Sequence, residues 1–67
     1  MKITLHKDQA GKLMIYVPKK DLEEEVVAET HQDNAHIFTL SNGWELSVPN
    51  LETPFKTPQT VRAQRLV

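Results

Sequence analysis

Apolar and polar positions alternate with a period of two over most of this chain, and the alternation is broken by short polar clusters. That pattern predicts strands joined by turns. It is clearest from His36 to Val48, where His36-Ile37-Phe38-Thr39-Leu40 and Trp44-Glu45-Leu46-Ser47-Val48 flank Ser41-Asn42-Gly43. Asn-Gly between two alternating runs is a strong hairpin signal, and loop length sets the register. A two-residue loop would pair Phe38 with Ser47 and put the two apolar sets on opposite faces. A three-residue loop, with a type I turn and Gly43 in the left-handed region, pairs Leu40 with Trp44, Phe38 with Leu46 and His36 with Val48. The second register gathers nearly every large apolar side chain on one face, each contributing about 1.5–3 kcal/mol on full burial. A one-residue slip would forfeit that, so the bulged loop is predicted, with Gly43 at positive φ. Trp44 is then expected to be the largest single piece of the core, its indole N–H needing a partner.

The rest of the chain divides similarly. Lys2–His6 alternates, with Ile3 and Leu5 inward. Lys7–Lys12 is a polar turn. Leu13–Val17 is apolar throughout, which points to a central strand consistent with cover on both faces, with Leu13, Ile15 and Val17 inward and Tyr16 half exposed. Pro18 ends it. Lys19–Glu25 is a charged connector in which Asp21 and Glu24 have capping-box spacing, enough for one helical turn, with Leu22 plugging one end of the core. Glu25–Thr30 is a further strand, facing inward through either Val26 with Ala28 or Val27 alone. His31–Ala35 is a polar loop. Pro49–Pro58 holds three of the four prolines and is expected to wrap the body, pinned by Leu51 and Phe55. Thr60–Leu66 alternates again, with Val61 and Ala63 inward. The expectation is an all-β, single-domain, β-barrel-like fold of about six short antiparallel strands spanning residues 1–67. Closure of the sheet would remove its exposed edges.

Composition narrows the chemistry. A chain of 67 residues without cysteine must fold without disulfides and has no thiolate for zinc or an iron–sulfur cluster. The net charge of −1, from eight basic and nine acidic side chains, argues against a general nucleic-acid or anionic-membrane binder. The longest apolar run, Leu13–Val17, is far short of a membrane span, so a cytoplasmic location and no membrane partner are expected.

Two blocks carry a resemblance. Tyr16-Val17-Pro18-Lys19-Lys20-Asp21-Leu22-Glu23-Glu24 with Val26-Val27, and Leu40-Ser41-Asn42-Gly43-Trp44-Glu45-Leu46-Ser47-Val48-Pro49, are joined by the tail Val61-Arg62-Ala63-Gln64-Arg65-Leu66. Together they make nearly the full length similar to the NifT/FixU family of small nitrogen-fixation proteins. The resemblance implies a compact β-barrel-like domain serving nitrogen fixation and offers no catalytic residues.

Candidate sites follow. His6, His31 and His36 are the available metal ligands, but structural sites want about four ligands at close spacing; three partly exposed strand-end or loop histidines are the plainer reading, and no metal or cofactor is expected. No cysteine nucleophile and no Gly-x-Ser-x-Gly elbow is present, so no catalytic residue is assigned and no enzyme is expected. Tyr16, Phe38 and Trp44 near lysines leave a small barrel binding single-stranded nucleic acid as an alternative, and a His/carboxylate metal carrier as another. The favoured expectation is a non-enzymatic accessory protein binding nitrogenase or a nitrogenase-maturation protein. Its candidate interaction surface is Lys19, Lys20, Asp21, Glu23, Glu24, Arg62 and Arg65, a charged rim that would tune encounter rate.

Overall fold

The computed structural model describes residues 1–52 and 54–67. Seven strands form one antiparallel sheet: β1 (Lys2–Lys7), β2 (Leu13–Val17), β3 (Leu22–Gln32), β4 (Ala35–Leu40), β5 (Glu45–Pro49), β6 (Gln59–Arg62) and β7 (Gln64–Arg65). Their spatial order is β6-β1-β2-β3-β4-β5-β7. The two ends of that order are consecutive pieces of chain separated only by Ala63. The expected last strand is therefore divided in two: β6 pairs with β1, β7 pairs with β5, and the sheet curls into a nearly closed barrel.

The core is the inward face of this barrel: Ile3, Leu5, Ile15, Val17, Phe38, Leu40, Leu46, Val48 and Ala63. Every one of them was expected inward. Leu13, Leu22, Val26, Leu51, Phe55 and Val61 pack around it, half buried. Met14 and Tyr16 on the opposite face of β2 are also only half buried, so β2 is covered fully on one side alone.

The β4–β5 hairpin has the predicted register, with Phe38 opposite Leu46 and His36 opposite Val48. The loop closes as expected for three residues. The Gly43 N–H donates to the Leu40 carbonyl at 2.9 Å and the Leu40 N–H to the Trp44 carbonyl at 2.8 Å. Gly43 has φ +95° while Asn42 stays out of the positive region, which excludes the two-residue alternative. The Trp44 N–H also donates to the Asn42 side-chain oxygen at 3.0 Å.

Trp44 departs from the expectation of a fully buried anchor. It belongs to the last pair before the loop, so it lies at the end of the barrel and is only half buried, and Phe38 is the largest fully enclosed side chain. The connector differs too. The single helical turn is a 3₁₀ turn, Pro18–Lys20, and Asp21 terminates it at φ +48° instead of capping a helix that follows. Strand pairing resumes at once, Val17 with Leu22 and Tyr16 with Glu23. The expected Glu25–Thr30 strand thus runs from Leu22 to Gln32. A bulge between Val26 and Ala28 leaves Val27 exposed and resolves the open choice in favour of Val26 alone, since Ala28 is also exposed. The loop expected over His31–Ala35 shrinks to Asp33-Asn34, both at positive φ as a type I′ turn requires. Pro49–Pro58, described except for Thr53, contributes Leu51 and Phe55 to the core margin as expected.

Candidate functional site

The barrel has one end at which the 3₁₀ turn, the β4–β5 loop and the end of β7 converge, and this is where charged residues meet Trp44. The guanidinium carbon of Arg65 is 3.9 Å from the centre of the indole, and the Lys20 ammonium is 5.9 Å from it. Arg65 is held in place by a bond from its Nε to the Val67 carbonyl at 3.1 Å. Each cation over an aromatic face contributes about 0.5–1 kcal/mol at an exposed site. Lys20 and Arg65, far apart in sequence, are therefore the two members of the predicted surface that the fold joins. Trp44, which alternation alone places in the core, is the residue that joins them.

The other predicted residues are distributed differently. Asp21 accepts a hydrogen bond from the Tyr16 hydroxyl at 3.0 Å. That bond and the Asp21 charge, with Glu23 adding a smaller effect, push the phenol above its ordinary pKa and keep it neutral. Glu23 pairs with His6 Nε2 at 2.9 Å on the outer face. Glu24 accepts from the Ser41 hydroxyl at 2.6 Å, and the Ser41 N–H donates to the Glu25 carbonyl at 2.9 Å, so β3 is tied to the hairpin loop. Lys19 is exposed beside Lys20. Arg62 lies on β6, directly across from Lys2 on β1. The seven residues thus divide into a cationic pair on Trp44, three carboxylates engaged by neighbouring side chains, an exposed lysine, and Arg62 on a separate strand.

The histidines do not converge as a set. His6 is engaged by Glu23 on the outer face, whereas His31 and His36 are neighbours with ring centres 4.8 Å apart. Among the described residues no group of three or more histidine or carboxylate side chains is placed to hold a metal ion. His36 differs from the partly exposed histidine expected from sequence: it is buried, 5% exposed. The predicted register already paired it with Val48 on the inner face, so the signal was present. Its ring stacks on Phe38, 6.0 Å between centres, and meets Phe55 edge-on. Nε2 is 3.4 Å from a Glu29 carboxylate oxygen, and Nδ1 is buried with no partner among the described residues. A buried polar atom without a partner is destabilising by about 1–3 kcal/mol. His36→Leu should therefore raise the urea midpoint, by an amount equivalent to about 1 kcal/mol. A lowered midpoint would mean that Nδ1 is satisfied by bound water.

A feature that sequence reasoning missed is a groove of about 520 Å³ between the end of β5, the loop that follows and β6. Leu51, Phe55 and Val61 line it with Lys56, Glu52 and Arg62. Among the described residues no helix is long and apolar enough to cross a membrane.

Comparison with known proteins places this chain in a family. No solved structure matches the chain. Among curated proteins it is 41% identical over 66 residues to protein FixU of Rhizobium leguminosarum bv. trifolii, covering 97% of this chain and 93% of that protein. It is 38% identical over 68 residues to a FixU homolog of Sinorhizobium fredii, covering 100% of this chain and 88% of the relative. It is also 37% identical over 67 residues to protein MosB of Rhizobium meliloti, of which the chain spans only 13% of the length. The family model for the NifT/FixU protein matches residues 1–63, which takes in the barrel strands as far as Ala63, the hairpin, Lys20 and Trp44, but not β7 with Arg65. On the match over residues 1–63 and those relatives, the chain belongs to the NifT/FixU family of nitrogen-fixation-related proteins.

Proposed function

We propose that this protein is a cytoplasmic, non-enzymatic accessory factor of nitrogen fixation that works by binding another protein, either nitrogenase or a protein of its maturation. The observation that carries the reading is the Lys20–Trp44–Arg65 group. Tryptophan and arginine are the residue types that most often dominate binding energy at interfaces, and here both are presented at one end of a rigid barrel. The absence of cysteine supports a role without covalent chemistry, as does the placement of the carboxylates in local hydrogen bonds.

Capture from extracts of nitrogen-fixing cells tests this. The wild-type chain should retain a nitrogenase subunit or maturation protein. The double variant Lys20→Glu, Arg65→Glu should lose at least about tenfold of that capture, since reversing rim charges slows encounter and leaves Trp44 without its cations. Recovery of no nitrogenase-related protein by the folded wild type overturns the proposal. Equal capture by the variant moves the interface away from this end.

A further inference from the structure

β3 is longer than the strand beside it. Its 11 residues run from Leu22 to Gln32, whereas β2 has 5 and pairs only with Leu22–Glu25. β2 starts at Leu13, opposite Lys7 of β1, and the residues before it turn back on themselves. The Asp8 N–H donates to the Lys12 carbonyl at 3.0 Å, and the Lys12 N–H donates to the Asp8 carboxylate at 2.9 Å. Past the bulge, β3 therefore has β4 on one side and, among the described residues, no strand running along the other. Every residue from Val27 to Gln32 is exposed.

The Asp33-Asn34 turn fixes which backbone groups this edge presents. A two-residue loop is flanked by a hydrogen-bonded pair, here Gln32 with Ala35. Bonded pairs recur at alternate positions, so Thr30 with Ile37 and Ala28 with Thr39 follow. Glu29 and His31 thus direct both their N–H and their C=O away from β4. Exposed edges are commonly blunted by lysine or proline, and Val27–Gln32 contains neither. The bulge at Val27 limits the edge at one end only.

We propose that this edge pairs with the same edge of a second copy of the chain, antiparallel, about a two-fold axis at Thr30. With two-fold symmetry and only Glu29 and His31 facing out, three registers are open. One sets Glu29 against Glu29. Another sets His31 against His31 and Glu29 against Asp33. The third sets Glu29 of each copy opposite His31 of the other, with Thr30 opposite Thr30 and Ala28 opposite Gln32. Like charges directly opposite are destabilising, whereas a carboxylate opposite an imidazole, and threonine opposite threonine, stabilise a strand pair. The third register also bonds all four outward backbone groups of each copy. Glu29 approaches its own His36 through Oε2, which leaves Oε1 for His31 of the second copy. The antiparallel sense places the second barrel beyond the Asp33-Asn34 turn, at the far end of β4 from Trp44. Self-association therefore adds to the protein-binding reading above and does not rest on it.

The test uses the full chain, labelled with ¹⁵N, and amide hydrogen exchange across a dilution series. The Glu29 and His31 amides should gain about tenfold protection as concentration rises, while the Thr30 amide, bonded to β4, is protected throughout. Single-cysteine variants read the register, because the chain has no cysteine of its own. Directly opposed residues of a non-bonded pair have Cα atoms about 4.5 Å apart, within disulfide reach. Under mild oxidation Thr30→Cys should cross-link about tenfold faster than Glu29→Cys or His31→Cys, which sit out of line with their own copies. His31→Pro removes only an outward N–H, so it should abolish the protection at Glu29 and leave Thr30 protected. His31→Glu should weaken association about tenfold, and adding Glu29→His should restore it. Glu29 and His31 amides that stay unprotected at every concentration, fastest cross-linking by Glu29→Cys or His31→Cys, or association that survives His31→Pro would overturn the proposal. None of these outcomes touches capture of a nitrogenase-related protein, so the two readings fail separately.

Discussion

Phe38→Ala should leave a chain that does not fold. Phe38 is wholly enclosed, pairs with Leu46 across the hairpin, and meets His36 and Phe55 ring to ring. Truncating a buried phenylalanine costs about 3–5 kcal/mol in lost transfer energy and cavity formation. A single core in a chain of this size rarely supplies more than about 3–5 kcal/mol of net stability, and there is no disulfide to add to it. The two magnitudes are comparable, so the variant should show a collapsed amide spectrum and no cooperative urea transition. A cooperative transition near the wild-type midpoint would show that the barrel core is not what holds the fold.

The second large effect is expected at Gly43, and it is conformational. A Cβ built on Gly43 would meet nothing within 4 Å, so steric crowding is not the reason for glycine there. The reason is φ +95°, which L-residues reach at a cost of about 1–2 kcal/mol, and a β-branched residue at the upper end of that range. Gly43→Val should therefore lower stability by about 2 kcal/mol, whereas Gly43→Asn should lose well under half of that, because asparagine enters positive φ more readily. Urea melts of the two variants side by side make the comparison. Equal losses would mean that side-chain volume, not backbone geometry, governs the loop.

The contrast between Phe38 and Trp44 shows where reading the chain succeeds and where it stops. Both belong to the same alternating pattern and the same face of the hairpin. Alternation shows which face a side chain takes, but not how far along the barrel axis it lies. Phe38 is in the middle of β4 and is enclosed; Trp44 is beside the loop and projects at the rim, where Arg65 arrives from the far end of the sequence. The triple glutamate misled for a related reason. Glu23, Glu24 and Glu25 look like a solvated connector by composition. Yet backbone pairing to Tyr16, Ile15 and Met14 makes them strand, because ladder bonds are indifferent to side-chain charge. His36 was the opposite case: its register was legible, and its burial followed from it.

What this sequence determined alone is what period-two patterning and turn chemistry encode: an all-β chain, the inward residues of five strands, a three-residue hairpin loop with glycine at positive φ, and a family. Those properties depend on neighbours within a few residues, and the local chain carries them. Only the tertiary structure decided how the last segment splits at Ala63 to join β1 with β5, and which distant cations settle on Trp44. Each of these depends on two pieces of chain far apart in sequence meeting in space, and the closure of the barrel is what brings them together.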